Sequence, residues 1–267
     1  MTQPRLHFYD FGEGVKAFSS TRHGGFSKGH YAAFNINHYC GDNEETIRQN
    51  RALLSDLLEI SDDRLLMPHQ VHLTEIVAID EAFLRLSADE QKARLEGVDA
   101  LMTDVAGVCI GVSTADCIPV LLYDKAHHAV CAIHAGWRGT VKRIVEKAVK
   151  TMTAVYGSRP SDLLAQIGPG IHLESFEVGD EVYEAFASEG FAMETISRKF
   201  PAANDSDCEK WHIDLPACNR QQLLDAGLPS SQISVSDVCT FQQCDTYFSA
   251  RRLGIDSGRI FTGILML

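Results

Sequence analysis

Residues 117–134 read CIPVLLYDKAHHAVCAIH, two apolar runs flanking Asp124-Lys125-Ala126-His127. A turn at those four residues makes the runs an antiparallel hairpin. Cys117 and His134 then oppose each other directly on one face, with Cβ atoms roughly 5 Å apart. A thiolate and an imidazole at that spacing suit zinc or copper. The inference depends on register, because a slip of one residue sends the two side chains to opposite faces. Both residues also stand where a strand gives way to irregular chain, STADC before one run and HAGWRG after the other. Functional side chains gather at such ends. The plainer alternative is that Cys117 is core packing and His134 caps a loop, since free cysteine is commonly buried.

Two donors are too few for a catalytic zinc, which takes three protein ligands and keeps one position open. Among the other histidines, His72 in PHQVHLTE is preferred on local grounds. It falls in an expected strand with Val71 and Ile76, where a bare polar ring needs a reason. His69, earlier in the same segment, is the rival. Without a metal, Cys117 and His134 could form the nucleophile–base pair of a hydrolase; a second histidine against the sulfur would argue for the metal instead. A closed four-ligand site would favour a non-catalytic metal-binding module, but Cys208, Cys218, Cys239 and Cys244 lack zinc-finger spacing. Multicopper chemistry needs many paired histidines, and His127-His128 is the one adjacent pair, inside the expected turn.

The elements that must position these groups follow from periodicity. A helix is expected over residues 43–60, with Ile47, Leu53, Leu54, Leu57 and Leu58 on one side and Asp42 as its N-cap. A second follows Gly139, where Val141, Ile144, Val145, Ala148, Val149 and Met152 recur at helical spacing until Tyr156-Gly157 ends it. Two more are expected over residues 180–188 and from 215 to Gly227. Short apolar runs predict strands over residues 71–79, 100–103, 108–113, 118–123, 129–134, 165–167 and 233–235. The run 118–123 is apolar throughout and should be buried on both faces. The expected fold is α+β, one domain over residues 1–267 with a mixed β-sheet core flanked by helices.

Bulk properties restrict the partners. The 267-residue chain is 45% hydrophobic and carries a net charge of −12. Nucleic acid and anionic membranes, which require basic surfaces, are poor partners. The first residues lack the apolar run of a signal peptide, and no stretch has bilayer-spanning length. A cytoplasmic protein with reduced cysteines is expected.

The stretches STADCIPVLLYD and AIHAGWRGT resemble the laccase-domain family, whose bacterial members are the YfiH type. The resemblance continues through STRHGGFS, FNINHYCGDN, MPHQVH, GVDALMTD, QIGPGI and DVCTFQQCDTYFSARRLGIDSGR. It implies metal ligands at His72, Cys117 and His134, with zinc the expected cofactor and copper the alternative. It further implies a zinc-dependent purine nucleoside phosphorylase acting on adenosine, inosine or methylthioadenosine with phosphate. Adenosine deamination and copper-dependent polyphenol oxidation are the other activities attached to the family. The sequence departs at FNIN, where the family more often has Leu-Asn-Leu-Gly; Asn35 in that stretch is a substrate-binding candidate. Arg138, four residues from a ligand, and Arg22 are candidates to grip phosphate. Asp116, beside Cys117, is the candidate carboxylate for proton transfer or for orienting a ligand. The H-x-E…P-C-x-x-C pattern of zinc nucleobase deaminases is absent.

Overall fold

The apolar runs pair into three sheets in the computed structural model, which describes residues 3–203 and 205–267. The largest has the order Ile233–Val235, Leu163–Ile167, Ile118–Asp124, Ala129–Ala135, Ala100–Thr103, Ile76–Ile79. Its central strands are antiparallel neighbours, and the strand at each edge joins in parallel. A second sheet runs Leu6–Tyr9, Val15–Ser20, Ile260–Met266, Cys109–Thr114, Leu65–Leu66. The third is small and antiparallel, built from Glu177–Val178, Asp205–Ile213 and Ser197–Ala202.

The two large sheets lie face to face. Ala17, Ile110, Val112 and Ile264 of one share a buried core with Leu101, Leu121, Tyr123, Val130 and Ala132 of the other. Strand alternation sends Val120, Leu122, Cys131 and Ile133 to the opposite face. Helices Ile144–Tyr156, Asp180–Ser188 and Leu215–Asp225 cover that face through residues such as Val145, Phe186 and Leu223. This double covering explains why Ile118–Asp124 is buried along its whole length. Helix Glu44–Leu58 seals the outer face of the second sheet, with Leu54 and Leu58 against Phe18, Phe261 and Leu265. The result is the expected α+β arrangement, with two mixed sheets rather than one at its centre. Among the described residues no helix is long and apolar enough to cross a membrane, and all eight cysteines are free.

Several local expectations change. Asn43, not Asp42, caps the first long helix, its side chain accepting from the Thr46 amide at 3.1 Å. Asp42 is instead taken by Ser27 and Asn35. Leu57 is exposed. The helix after Gly139 is split: Trp137–Val141 ends before Arg143, whose φ of 57° is left-handed, and Ile144–Tyr156 begins anew. The segment 71–75 is not strand, because only Ile76–Ile79 pairs.

The hairpin turn also moves. Asp124 ends its strand opposite Ala129, so the turn is residues 125–128. His134 therefore faces Pro119, and Cys117 lies level with Gly136 just beyond the ladder. The register differs from expectation by an even number of residues, which keeps Cys117 and His134 on one face. Asp124 causes the shift. Its buried carboxylate accepts from the amides of Ala126 (2.9 Å) and His127 (3.2 Å) and meets His127 Nδ1 at 2.8 Å. Burial opposes its ionisation, but Ser158, the His127 ring and the His127 and Ala126 amides together outweigh burial and hold the carboxyl below the usual carboxylate range. Asp124→Ala should lower unfolding free energy by about 1–3 kcal/mol in denaturant titration. A depressed folded pKa gives stability that is complete above the unfolded value of about 4 and is lost as pH falls below it. Wild type and Asp124→Asn should thus converge in stability in that acid window; a constant gap across it would contradict an ionised Asp124.

Candidate metal centre and active-site cavity

The chain crosses from one large sheet to the other between Thr114 and Ile118, and the candidate centre sits at that crossing. Asp116 makes the turn with φ 86°, in the left-handed region. Its Oδ1 accepts from Thr240 Oγ1 and its Oδ2 from the Arg251 amide, both at 2.7 Å. Its carbonyl accepts from the Ile171 amide at 2.8 Å. These bonds fix the backbone that presents Cys117.

The two histidines are set by Asp99, the residue before strand Ala100–Thr103. His134 Nδ1–H donates to Asp99 Oδ1 at 2.7 Å, and the His134 amide donates to the Asp99 carbonyl at 2.8 Å. The same carboxylate accepts the amides of His72 (3.0 Å) and Leu73 (2.7 Å), with Val71 at 3.4 Å. That wraps residues 71–73 into a bend in which His72 takes a φ of 63°. The His72 and His134 rings meet edge to face, centroids 4.8 Å apart. The donor atoms of His72, Cys117 and His134 all lie within 4.8 Å of one another.

Charge follows from this geometry. Burial pushes the Cys117 thiol up, but His134 and hydrogen bonds from both imidazoles outweigh it, and the net value falls to about 6. Burial likewise opposes protonation of His134, yet the Cys117 thiolate and Asp99 raise it to about 9. Asp99 itself is held below the usual carboxylate range: burial resists ionisation, and His134 with the Leu73 and His72 amides overcomes it. A thiolate and two imidazoles are a donor set that fits zinc. His134 has its Nδ1 committed to Asp99, which leaves Nε2 for a metal. Gly136 completes the fit, because a Cβ there would lie 2.9 Å from the His72 ring and 3.1 Å from the Cys117 sulfur.

A cavity of about 650 Å³ opens over the three donors. Its walls include Tyr39, His69, Gln70, Phe176, Arg251 and Arg259. A family model described as multi-copper polyphenol oxidoreductase laccase matches residues 16–267. The chain belongs to this family. It is 46% identical to a purine nucleoside phosphorylase of Bacteroides thetaiotaomicron over 94% of this chain and 92% of that one. It is 44% identical to an adenosine deaminase from an unknown prokaryotic organism over 97% of both. The crystal structure of YlmD from Geobacillus stearothermophilus superposes with a TM-score of 0.84 at 32% identity, covering 95% of this chain and 92% of that one. The family description speaks of several coppers; among the described residues of this laccase-family chain, His72, Cys117 and His134 are the one cluster of metal-ligating side chains.

The structure sorts the remaining sequence candidates. His69 is turned away from metal duty, stacked on Tyr39 at 4.1 Å with Nδ1 2.6 Å from Glu96 Oε1. Arg22 does not reach the cavity; it donates to the carbonyls of Ala32 (3.0 Å) and Cys244 (2.7 Å). Arg138 is exposed and lies over the Trp137 ring at 4.3 Å, also outside the cavity wall. Asn35 is buried behind the wall, accepting from the Arg259 amide at 3.2 Å and donating to Asp42 at 2.9 Å. Asp116 does line the cavity, with both oxygens engaged.

Sequence reasoning passed over Asp99, Gly136, Arg251 as a cavity residue, and Arg259. A signal for Asp99 existed: a carboxylate leading an apolar run in GVDALM is costly to bury without partners. Asp99→Asn should lower metal affinity roughly ten- to a hundredfold, measured by chelator competition. Unchanged affinity would mean that His134 is oriented by other contacts.

Proposed function

We propose that this chain is a zinc-dependent purine nucleoside phosphorylase, with His72, Cys117 and His134 as the zinc ligands. The observation that carries the reading is the placement of His72 against Cys117 and His134. A thiol nucleophile needs one histidine as its base; a second imidazole at the sulfur is what a metal requires. The relatives named as purine nucleoside phosphorylases point to the substrate class. The cavity volume of about 650 Å³ suits a nucleoside.

In phosphorolysis a phosphate oxygen bonds to C1′ of the ribose while the bond from C1′ to the purine nitrogen breaks. The leaving purine keeps the electron pair and takes a proton, giving free base and ribose 1-phosphate. Zinc at these ligands supplies Lewis-acid charge. The protein supplies the rest. Asp99 orients the His134 imidazole and holds the backbone that presents His72, and Asp116 holds the Cys117 backbone in place. Apolar wall surface comes from Tyr39, Ile171 and Phe176. Adenosine deamination is the second reading, favoured by the deaminase relative at 44% identity. Asp116 is an awkward proton carrier for it, since Thr240 and Arg251 occupy its oxygens. Copper-dependent phenol oxidation has less support, because a single cluster of three donors among the described residues falls short of a multicopper arrangement. Free cysteines suit a reducing compartment, the cytoplasm.

Metal-analysed protein incubated with inosine should release hypoxanthine only when phosphate is present. Release without phosphate would mean hydrolysis, and ammonia from adenosine would mean deamination. Cys117→Ala should lose stoichiometric zinc and activity together. A variant that is inactive but fully zinc-loaded would point to a nucleophilic thiol and overturn the ligand assignment.

A further inference from the structure

We infer that Arg251 and Arg259 form the subsite that holds inorganic phosphate in this cavity, an assignment that rests on the phosphorolysis reading. Both line the cavity that contains His72, Cys117 and His134. Among the described residues neither guanidinium pairs with a carboxylate. In a chain with net charge −12, two such cations in one cavity need an explanation.

Backbone carbonyls hold them instead. Arg251 Nη1 and Nη2 donate to the Glu177 carbonyl at 3.0 and 3.1 Å. Arg259 Nη1 donates to the carbonyls of Ser257 (2.5 Å) and Gly258 (3.0 Å), and its Nη2 to that of Ile255 (2.9 Å). A carbonyl orients a guanidinium without cancelling its charge, and the Nε–H of each arginine is used by none of these bonds. Fixed positive forks with donors to spare match a tetrahedral oxyanion. Arg22 is also held by carbonyls but stands outside the cavity, which separates the pair from it.

Position follows from the backbone. The Arg251 amide binds Asp116 Oδ2, one residue from Cys117, so its chain is tethered beside the metal ligands. The Arg259 amide binds Asn35 Oδ1, and Asn35 is in turn held by Asp42. Asn35 is thus a positioning residue for Arg259 rather than a substrate contact. Asp116 and Asp256 also line the cavity; Asp116 has its oxygens engaged by Thr240 and the Arg251 amide, and Asp256, exposed like Arg251, forms no ion pair with either arginine among the described residues.

The test uses zinc-loaded full-length protein and the variants Arg251→Gln, Arg251→Lys and Arg259→Gln, each checked for zinc content and thermal unfolding. Phosphorolysis of inosine is followed at varied phosphate, and phosphate binding without nucleoside is measured by calorimetry. Arg251→Gln should raise the KM for phosphate ~10- to 100-fold, the loss of one charged hydrogen-bonding group, with a smaller effect on the KM for inosine. Arg251→Lys should recover part of the loss. Arg259→Gln, if folded, should act in the same direction; if it unfolds, the Arg251 pair decides. Phosphorolysis with an unchanged phosphate KM in Arg251→Gln overturns the subsite and leaves the reaction standing. Phosphate binding that both glutamine variants lose, in a protein with no phosphorolysis, leaves the subsite and overturns the reaction. Tight binding of inosine 5′-monophosphate with no binding of inorganic phosphate overturns the assignment, since the arginines would then serve a phosphate ester.

Discussion

Asp99 has no exposed surface, and its carboxylate meets the His134 ring and the amides of Val71, His72 and Leu73. An isolated buried carboxylate is strongly unfavourable, and only saturation by donors makes it tolerable. That requirement joins two stretches far apart in sequence, the bend at residues 71–73 and the strand end at His134. Satisfying this one charge thus ties the backbone at His72 to the ring of His134. The same bond decides the tautomer of His134, so folding and ligand chemistry share one proton.

Two left-handed residues flank the ligands, His72 itself at φ 63° and Asp116 at φ 86°. Such conformations cost on the order of 1–3 kcal/mol each outside glycine and persist where surrounding bonds over-determine them. Here the over-determination is visible. Asp99 grips both sides of His72, and Thr240, Arg251 and Ile171 grip Asp116. The local strain is spent on aiming a ring and a thiol at one point beside Gly136, where a side chain has no room.

Much of this was legible in the residues. The uniformly apolar run over residues 118–123 and the helix expected over residues 180–188 are local signals, and the structure reproduces them closely as Ile118–Asp124 and Asp180–Ser188. The hairpin put Cys117 and His134 on one face even though its turn was misplaced, because an even shift preserves facing. The second sheet was harder. Leu6–Tyr9 and Val15–Ser20 form a local hairpin, but Ile260–Met266 joins Val15–Ser20 from the opposite end of the chain, a pairing that no local window contains. The helix expected after Gly139 broke for a tertiary reason as well: Thr140 is buried, its carbonyl accepts from Gln222, and Arg143 takes a left-handed φ before the next helix. Arg22 and Arg138 were chosen for charge and proximity along the sequence, which say nothing of direction; one turned to carbonyls and the other to an aromatic face.

Relatives of nearly equal similarity bear the names phosphorylase and deaminase, and the cavity suggests why the two chemistries could coexist in one family. Each begins with a purine nucleoside held beside a polarising cation. They differ in the attacking group, phosphate at C1′ in one and water at the base in the other. A His/His/Cys centre with an open position is indifferent to that choice. What would separate them is whether the cavity can hold a dianion close to the ribose against the acidic charge of the protein. Carbonyl-anchored arginines answer that need in a way carboxylate-paired ones could not, because a paired guanidinium would have to abandon its partner before accepting phosphate. On the phosphorolysis reading proposed above, the choice of reaction turns on Arg251 and Arg259, whose guanidinium groups are held by the backbone of Glu177 and of residues 255–258.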